Sequence, residues 1–87
     1  MINSIIKQND NVFIVKVTND VSTSHTVTVT DRSLAELTNN NVTKTQLLQF
    51  SLEFLLQREP NTSILSSFDI NVISTFFADY RDKVKRW

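Results

Sequence analysis

Apolar and polar residues alternate along the first third of the chain and recur at helical intervals along the rest. In Val12-Phe-Ile-Val-Lys-Val-Thr18, β-branched and aromatic side chains dominate and Phe13, Val15 and Val17 share one face, which predicts a strand. His25-Thr-Val-Thr-Val-Thr30 alternates cleanly, with Val27 and Val29 inward and Thr26, Thr28 and Thr30 outward. Asn3 to Gln8, with Ile5 and Ile6, predicts a weaker edge strand, and the polar stretches Asn9–Asn11 and Asn19–Ser24 predict the turns. Residues 3–30 therefore read as a three-stranded antiparallel meander whose single apolar face needs helices to cover it.

The period changes at Asp31. Asp31 or Ser33 is positioned to cap a short helix holding Leu34 and Leu37, which stops at the Asn39–Asn41 cluster. Thr43-Lys-Thr-Gln46 then spells a capping box, with Val42 and Leu47 placed as a hydrophobic staple. The helix it opens is predicted to run to about Glu59, where Pro60 ends it. Leu47, Leu48, Phe50, Leu52, Phe54, Leu55 and Leu56 cover most of its circumference, leaving Gln46, Gln49, Glu53 and Gln57 as a polar strip. At roughly 1.5–3 kcal/mol per fully buried side chain, these residues represent on the order of 10–20 kcal/mol of gross stabilisation. This helix is predicted to form the core.

From a cap at Asp69, Ile70, Ile73, Phe77, Tyr80, Val84 and Trp87 follow a 3-4-3-4-3 spacing, which predicts one last helix with a narrow apolar seam. The fold class expected is α+β. A single domain spans residues 1–87, with the meander at 3–30 and about three helices in 31–87.

Composition sharpens this by exclusion. Nine basic and nine acidic residues cancel, so no long-range field gathers nucleic acid or anionic lipid. The absence of cysteine removes disulfides, thiolate catalysis and Cys-containing zinc sites, and it suits a reducing compartment. The longest apolar run, Val12–Val15, is far short of the roughly 20 residues that span a bilayer. Met1-Ile-Asn-Ser carries no basic stretch followed by an apolar one, so no export signal and a cytoplasmic location are expected. The absence of glycine excludes phosphate-cradling loops and dinucleotide fingerprints, and it leaves asparagine to serve the turns that need left-handed backbone.

Chemistry is correspondingly sparse. His25, the one histidine, has no companion ligands nearby in sequence, and its strand parity with Val27 places it at the rim of the buried face. Asp79 and Asp82 sit among Arg81, Lys83 and Lys85 as a solvated face. Arg81-Asp-Lys-Val-Lys-Arg-Trp87 places cations at a helix C-terminus, where they favour the dipole. Arg58 falls near the Phe54 side of the central helix, within reach of Glu59 or nearby carbonyls. No catalytic residue, cofactor or metal is expected.

The strings HTVTVTD (25–31), FLLQREP (54–60), SILSSFDINVI (63–73) and FFADY (76–80) resemble a family of small bacterial proteins with no assigned activity. The resemblance implies a bacterial, cytosolic origin. Residues 26–57 are similar in order to ribbon-helix-helix DNA-binding proteins. That resemblance implies Thr26, Thr28 and Thr30 facing base edges, with a phosphate held at Thr43 and Lys44. No Lys or Arg lies on strand 26–30, and phosphate contacts dominate DNA affinity, so this reading is the alternative. The leading expectation is a non-catalytic protein-interaction or accessory domain, self-association included, with Phe77, Tyr80, Val84 and Trp87 as partner surface. Small-ligand binding is the third.

Overall fold

Phe13, Val15 and Val17 share one face of strand β2 (Val12–Thr18), and the chain is arranged to cover them. The structure is a computed structural model that describes residues 2–87. β2 lies between β1 (Ile2–Lys7) and β3 (Ser22–Thr28), antiparallel to both, as the alternation predicts. Then come α1 (Asp31–Thr38), α2 (Lys44–Leu56), β4 (Ser67–Asp69), α3 (Ile73–Phe76) and α4 (Tyr80–Arg86).

The sheet has four strands, ordered β1-β2-β3-β4, so the three-stranded meander is incomplete as predicted. β4 pairs parallel to β3, matching Thr26 with Ser67, Val27 with Phe68 and Thr28 with Asp69. Parallel neighbours need a long crossover, and here α1 and α2 form it between β3 and β4. β4 is invisible to periodicity because it is only three residues long and one of them, Phe68, is apolar. β3 also starts earlier than predicted, at Ser22, because Thr18–Ser22 register pairing already closes the β2–β3 hairpin, and it ends at Thr28 rather than Thr30, which caps α1.

Asparagine does serve the turns. Asn39 and Asn40 hold left-handed backbone at φ 58° and 63° after α1. At the β1–β2 turn the Asn9 carboxamide instead accepts from the N–H groups of Asn11 and Val12. The cap of α1 is Thr30, one residue before Asp31 and three before Ser33, the two predicted candidates, and it accepts from the Ser33 N–H at 3.1 Å. The capping box of α2 forms as read: Thr43 Oγ1 accepts from the Gln46 N–H, and Gln46 Oε1 accepts from the Thr43 N–H. α2 stops at Leu56, short of Glu59, because the Arg58 and Glu59 N–H groups both turn back to the Leu55 carbonyl ahead of Pro60.

One chain closes this core. Leu47, Leu48, Leu52, Phe54 and Leu55 of α2 are buried with Val15, Val27, Val29 and Ile70. Ser51, also fully buried, leaves room for the ring of Tyr80; its hydroxyl donates to the Leu47 carbonyl at 2.7 Å and lies 2.6 Å from the Tyr80 hydroxyl. Among the described residues, no buried side-chain polar atom lacks a hydrogen-bond partner.

The predicted last helix is two helices. Asp69 accepts from the Asn71 N–H and opens a 3₁₀ turn, Ile70–Val72, that runs into α3. Phe77, at φ −131° and ψ 99°, leaves the helical region, and α4 begins only at Tyr80. The break turns α4 against α1 and α3 and drives Tyr80 and Val84 into the core. No helix among the described residues is long and apolar enough to cross a membrane.

Candidate functional site

The principal concavity lies where α2 ends. Leu55 and Glu59 form one side, Ile64 and Leu65 a second, and Phe68, Val72, Ile73, Phe76 and Phe77 close the rest around about 340 Å³. Its surface is largely apolar, and Glu59 is its one ionisable lining residue. Phe76, 66% exposed, and Leu65, 50% exposed, stand at its mouth.

The Leu65 wall belongs to a loop of irregular backbone, and hydrogen bonds to β3 hold it. Buried Asn61 donates through Nδ2 to the Val21 carbonyl at 2.8 Å and to Thr23 Oγ1 at 2.9 Å. His25 Nδ1 donates to the Leu65 carbonyl at 2.8 Å, and its Nε2 lies 2.8 Å from Thr23 Oγ1. A carbonyl can only accept, so Nδ1 carries the proton. Nε2 then accepts from the Thr23 hydroxyl, which itself accepts from Asn61. His25 is thus inside the fold rather than at its rim, and its role is to fix one wall of the cleft.

Arg58 fixes the other. Its guanidinium sits 3.5 Å from the centre of the Phe54 ring and 6.0 Å from that of Phe77. It donates to the Phe54 carbonyl at 3.0 Å and pairs with Asp79 at 3.1 Å, so a carbonyl and Asp79, rather than Glu59, satisfy it. The planar fork does all of this at once, which a lysine ammonium could not. Phe77 packs edge-on against Phe54 at 5.9 Å, which orients it along the cleft.

Of the seam residues expected at a partner surface, only Phe77 and Trp87 are open to solvent, Phe77 in part. Tyr80 and Val84 are buried within the chain. Their spacing was correct for an apolar seam, but the break at Phe77 turns it inward. Trp87 stacks on Phe50 at 4.6 Å, away from the cleft lining.

The residues of the nucleic-acid alternative do not converge. Thr26 and Thr28 lie half-buried on a strand whose edges are both occupied, by β2 and β4, while a ribbon-helix-helix strand must pair across a dimer. Thr30 caps α1 and Thr43 caps α2. The Lys44 ammonium donates to the Asp10 carbonyl and Asn11 Oδ1 and pairs with Asp31 at 2.8 Å, and that contact holds the Asp31 carboxyl below its ordinary value.

Leu65, Val72 and Phe76 were not singled out by sequence reasoning, and Glu59 was named only as a partner for Arg58 and the end of the central helix. Two signals pointed to Leu65 and Phe76: the apolar pair Ile64-Leu65 between Pro60 and the Asp69 cap, and the Phe76-Phe77 doublet, of which a single seam can hold one member. Among the described residues no group of three or more His, Cys, Asp or Glu could hold a metal.

Compared with protein-family models, with curated proteins and with solved structures, the chain matches none. The fold itself defines a small α+β domain, and among its concave features is an apolar cleft carrying a single carboxylate.

Proposed function

We propose that this chain is a non-catalytic protein-interaction domain that docks a bulky apolar side chain of its partner in the cleft between α2, the 61–66 loop and α3. The observation that carries this reading is Phe76, at 66% the most exposed large apolar side chain among the described residues, standing with Leu65 at the mouth of a concave apolar surface. An exposed aromatic beside an apolar hollow is the arrangement of an interface anchor and its pocket. The absence of cysteine suits a cytoplasmic setting for such a domain.

Small-ligand binding is the second reading, because about 340 Å³ falls at the low end of the roughly 300–1,000 Å³ typical of ligand pockets. The experiment is selection of peptides from a displayed random library on the wild-type protein, with counter-selection on Phe76→Ser. The selected peptides are expected to bind Phe76→Ser roughly thirtyfold more weakly, as for an interface hot spot. Because Phe76 is exposed, the variant's thermal unfolding should match the wild type. Peptides that bind both proteins equally, or no selection at all, would overturn the proposal.

A further inference from the structure

The imidazole that fixes one wall of the cleft can also take up a proton. We propose that His25 is a pH-operated latch: a second ring proton frees the 61–66 loop from β3, and the cleft loses its Leu65 wall as the solution turns acid.

His25 is 1% exposed, and both of its nitrogens are engaged. Nδ1–H donates to the Leu65 carbonyl, and the Nε2 lone pair accepts the Thr23 hydroxyl proton. A proton arriving on Nε2 turns that acceptor into a donor. It then meets Thr23 Oγ1, which directs its own proton at Nε2 and already accepts from Asn61 Nδ2. The donor-to-acceptor order that runs from Asn61 through Thr23 and His25 to Leu65 is broken at its centre.

The added charge finds no counter-ion beside it. On the surrounding elements, Lys16 of β2 and Asp20 of the β2–β3 turn are exposed. Lys44 of α2 pairs with Asp31, Glu53 accepts from Gln49, and Arg58 pairs with Asp79. Glu59 lines the cleft, and Asp69 of β4 accepts from the Asn71 N–H. None of them bonds to the ring, whose partners are Thr23 and Leu65. A buried cation without a counter-ion is costly, and exposure to water removes that cost.

The loop is the element able to yield. Its long-range holds on β3 and the turn before it are the Leu65 carbonyl at His25, Asn61 at Val21 and Thr23, and the Ser66 carbonyl at the Thr26 N–H. His25 makes the first directly and supports the second through Thr23. A segment held by so few contacts opens well before the whole domain unfolds. An opening that takes up one proton becomes about tenfold more populated for each pH unit lost. The rise begins below roughly pH 6.5, where an imidazole in water gains its charge.

The experiment follows amide exchange in the wild-type chain from about pH 7.5 to about pH 5, corrected for the intrinsic pH dependence of exchange. The reporters are Ser63 and Ile64, whose N–H groups bond to the Pro60 and Asn61 carbonyls, and Thr26, whose N–H holds Ser66. The imidazole C–H resonances are recorded alongside, and His25 is the only histidine to give them. Protection at the three reporters is expected to fall roughly tenfold between about pH 6 and about pH 5, in step with ring protonation, while β2 keeps its protection. His25→Asn retains an N–H donor for the Leu65 carbonyl and takes up no proton, so its loop protection should stay level. Equal loss in wild type and variant would overturn the latch. The wild-type chain also decides by itself if the variant does not fold. A ring that charges while the reporters stay protected, a ring that stays neutral throughout, or a loss of protection shared by β2 would each overturn the proposal.

Discussion

Replacing Tyr80 with alanine is expected to unfold the domain or bring it close to unfolding. The ring is fully buried, packs edge-on against Phe54 at 5.3 Å, and closes α4 onto α2. Truncating a buried aromatic costs about 3–5 kcal/mol, and a chain of this length has a total stability of roughly 4–13 kcal/mol. Tyr80→Phe keeps the ring and removes only the hydroxyl at Ser51, so it should cost about 1 kcal/mol.

The same residue sets an alkaline limit. Burial, partly offset by the Ser51 hydrogen bond, pushes the Tyr80 phenol up to about 12 from 10.0. An unfolded chain sheds the phenolic proton near its ordinary value while the native chain keeps it. The resulting stability is therefore fully present below about pH 10 and is lost as pH rises toward about 12, a fall of roughly 2–3 kcal/mol. Tyr80 is the only tyrosine, so phenolate absorbance reports it alone. Native protein should titrate near 12 and urea-unfolded protein near its ordinary value. Tyr80→Phe should lose this component of the alkaline fall in urea stability, whereas an equal fall in both proteins would assign it to other groups.

His25→Ala should be the second large loss. It removes a buried ring and strands both the Leu65 carbonyl and the Thr23 hydroxyl, at about 2–4 kcal/mol in urea unfolding. It also releases the wall of the cleft, so amide exchange at residues 63–66 should quicken and peptide affinity should drop. Nitrogen-15 spectra of the wild-type imidazole should show the proton on Nδ1. The opposite tautomer, or a variant of unchanged stability, would remove His25 from this role.

Much of the frame was legible because local signals decided it. β2 and β3 followed from strict alternation, and Thr43 with Gln46 marked the start of α2. The covered face of α2 was also legible, since an all-round apolar helix in so short a chain must be enclosed. What encloses it was not. β4 is fixed by its register with Thr26–Thr28, a contact made across about forty residues of chain. The break at Phe77 is accompanied by a contact from far away in sequence, Arg58 reaching Asp79, and no helical period records that. The cleft inherits this difficulty. Its walls come from the end of α2, a turn, a three-residue strand and a broken helix, brought together by the parallel pairing of β4 and by the long-range hydrogen bonds of His25 and Asn61. Ser51 likewise reads as a polar interruption of α2 until Tyr80 is placed against it.

The most direct test of the docking account is amide chemical-shift mapping of the wild-type protein with the tightest Phe76-dependent peptide. Shifts concentrated at Leu55, Glu59, Leu65, Val72, Phe76 and Phe77 are the predicted result. Shifts centred instead on the uncovered face of the sheet, at Ile14, Lys16 and Thr26, would contradict it.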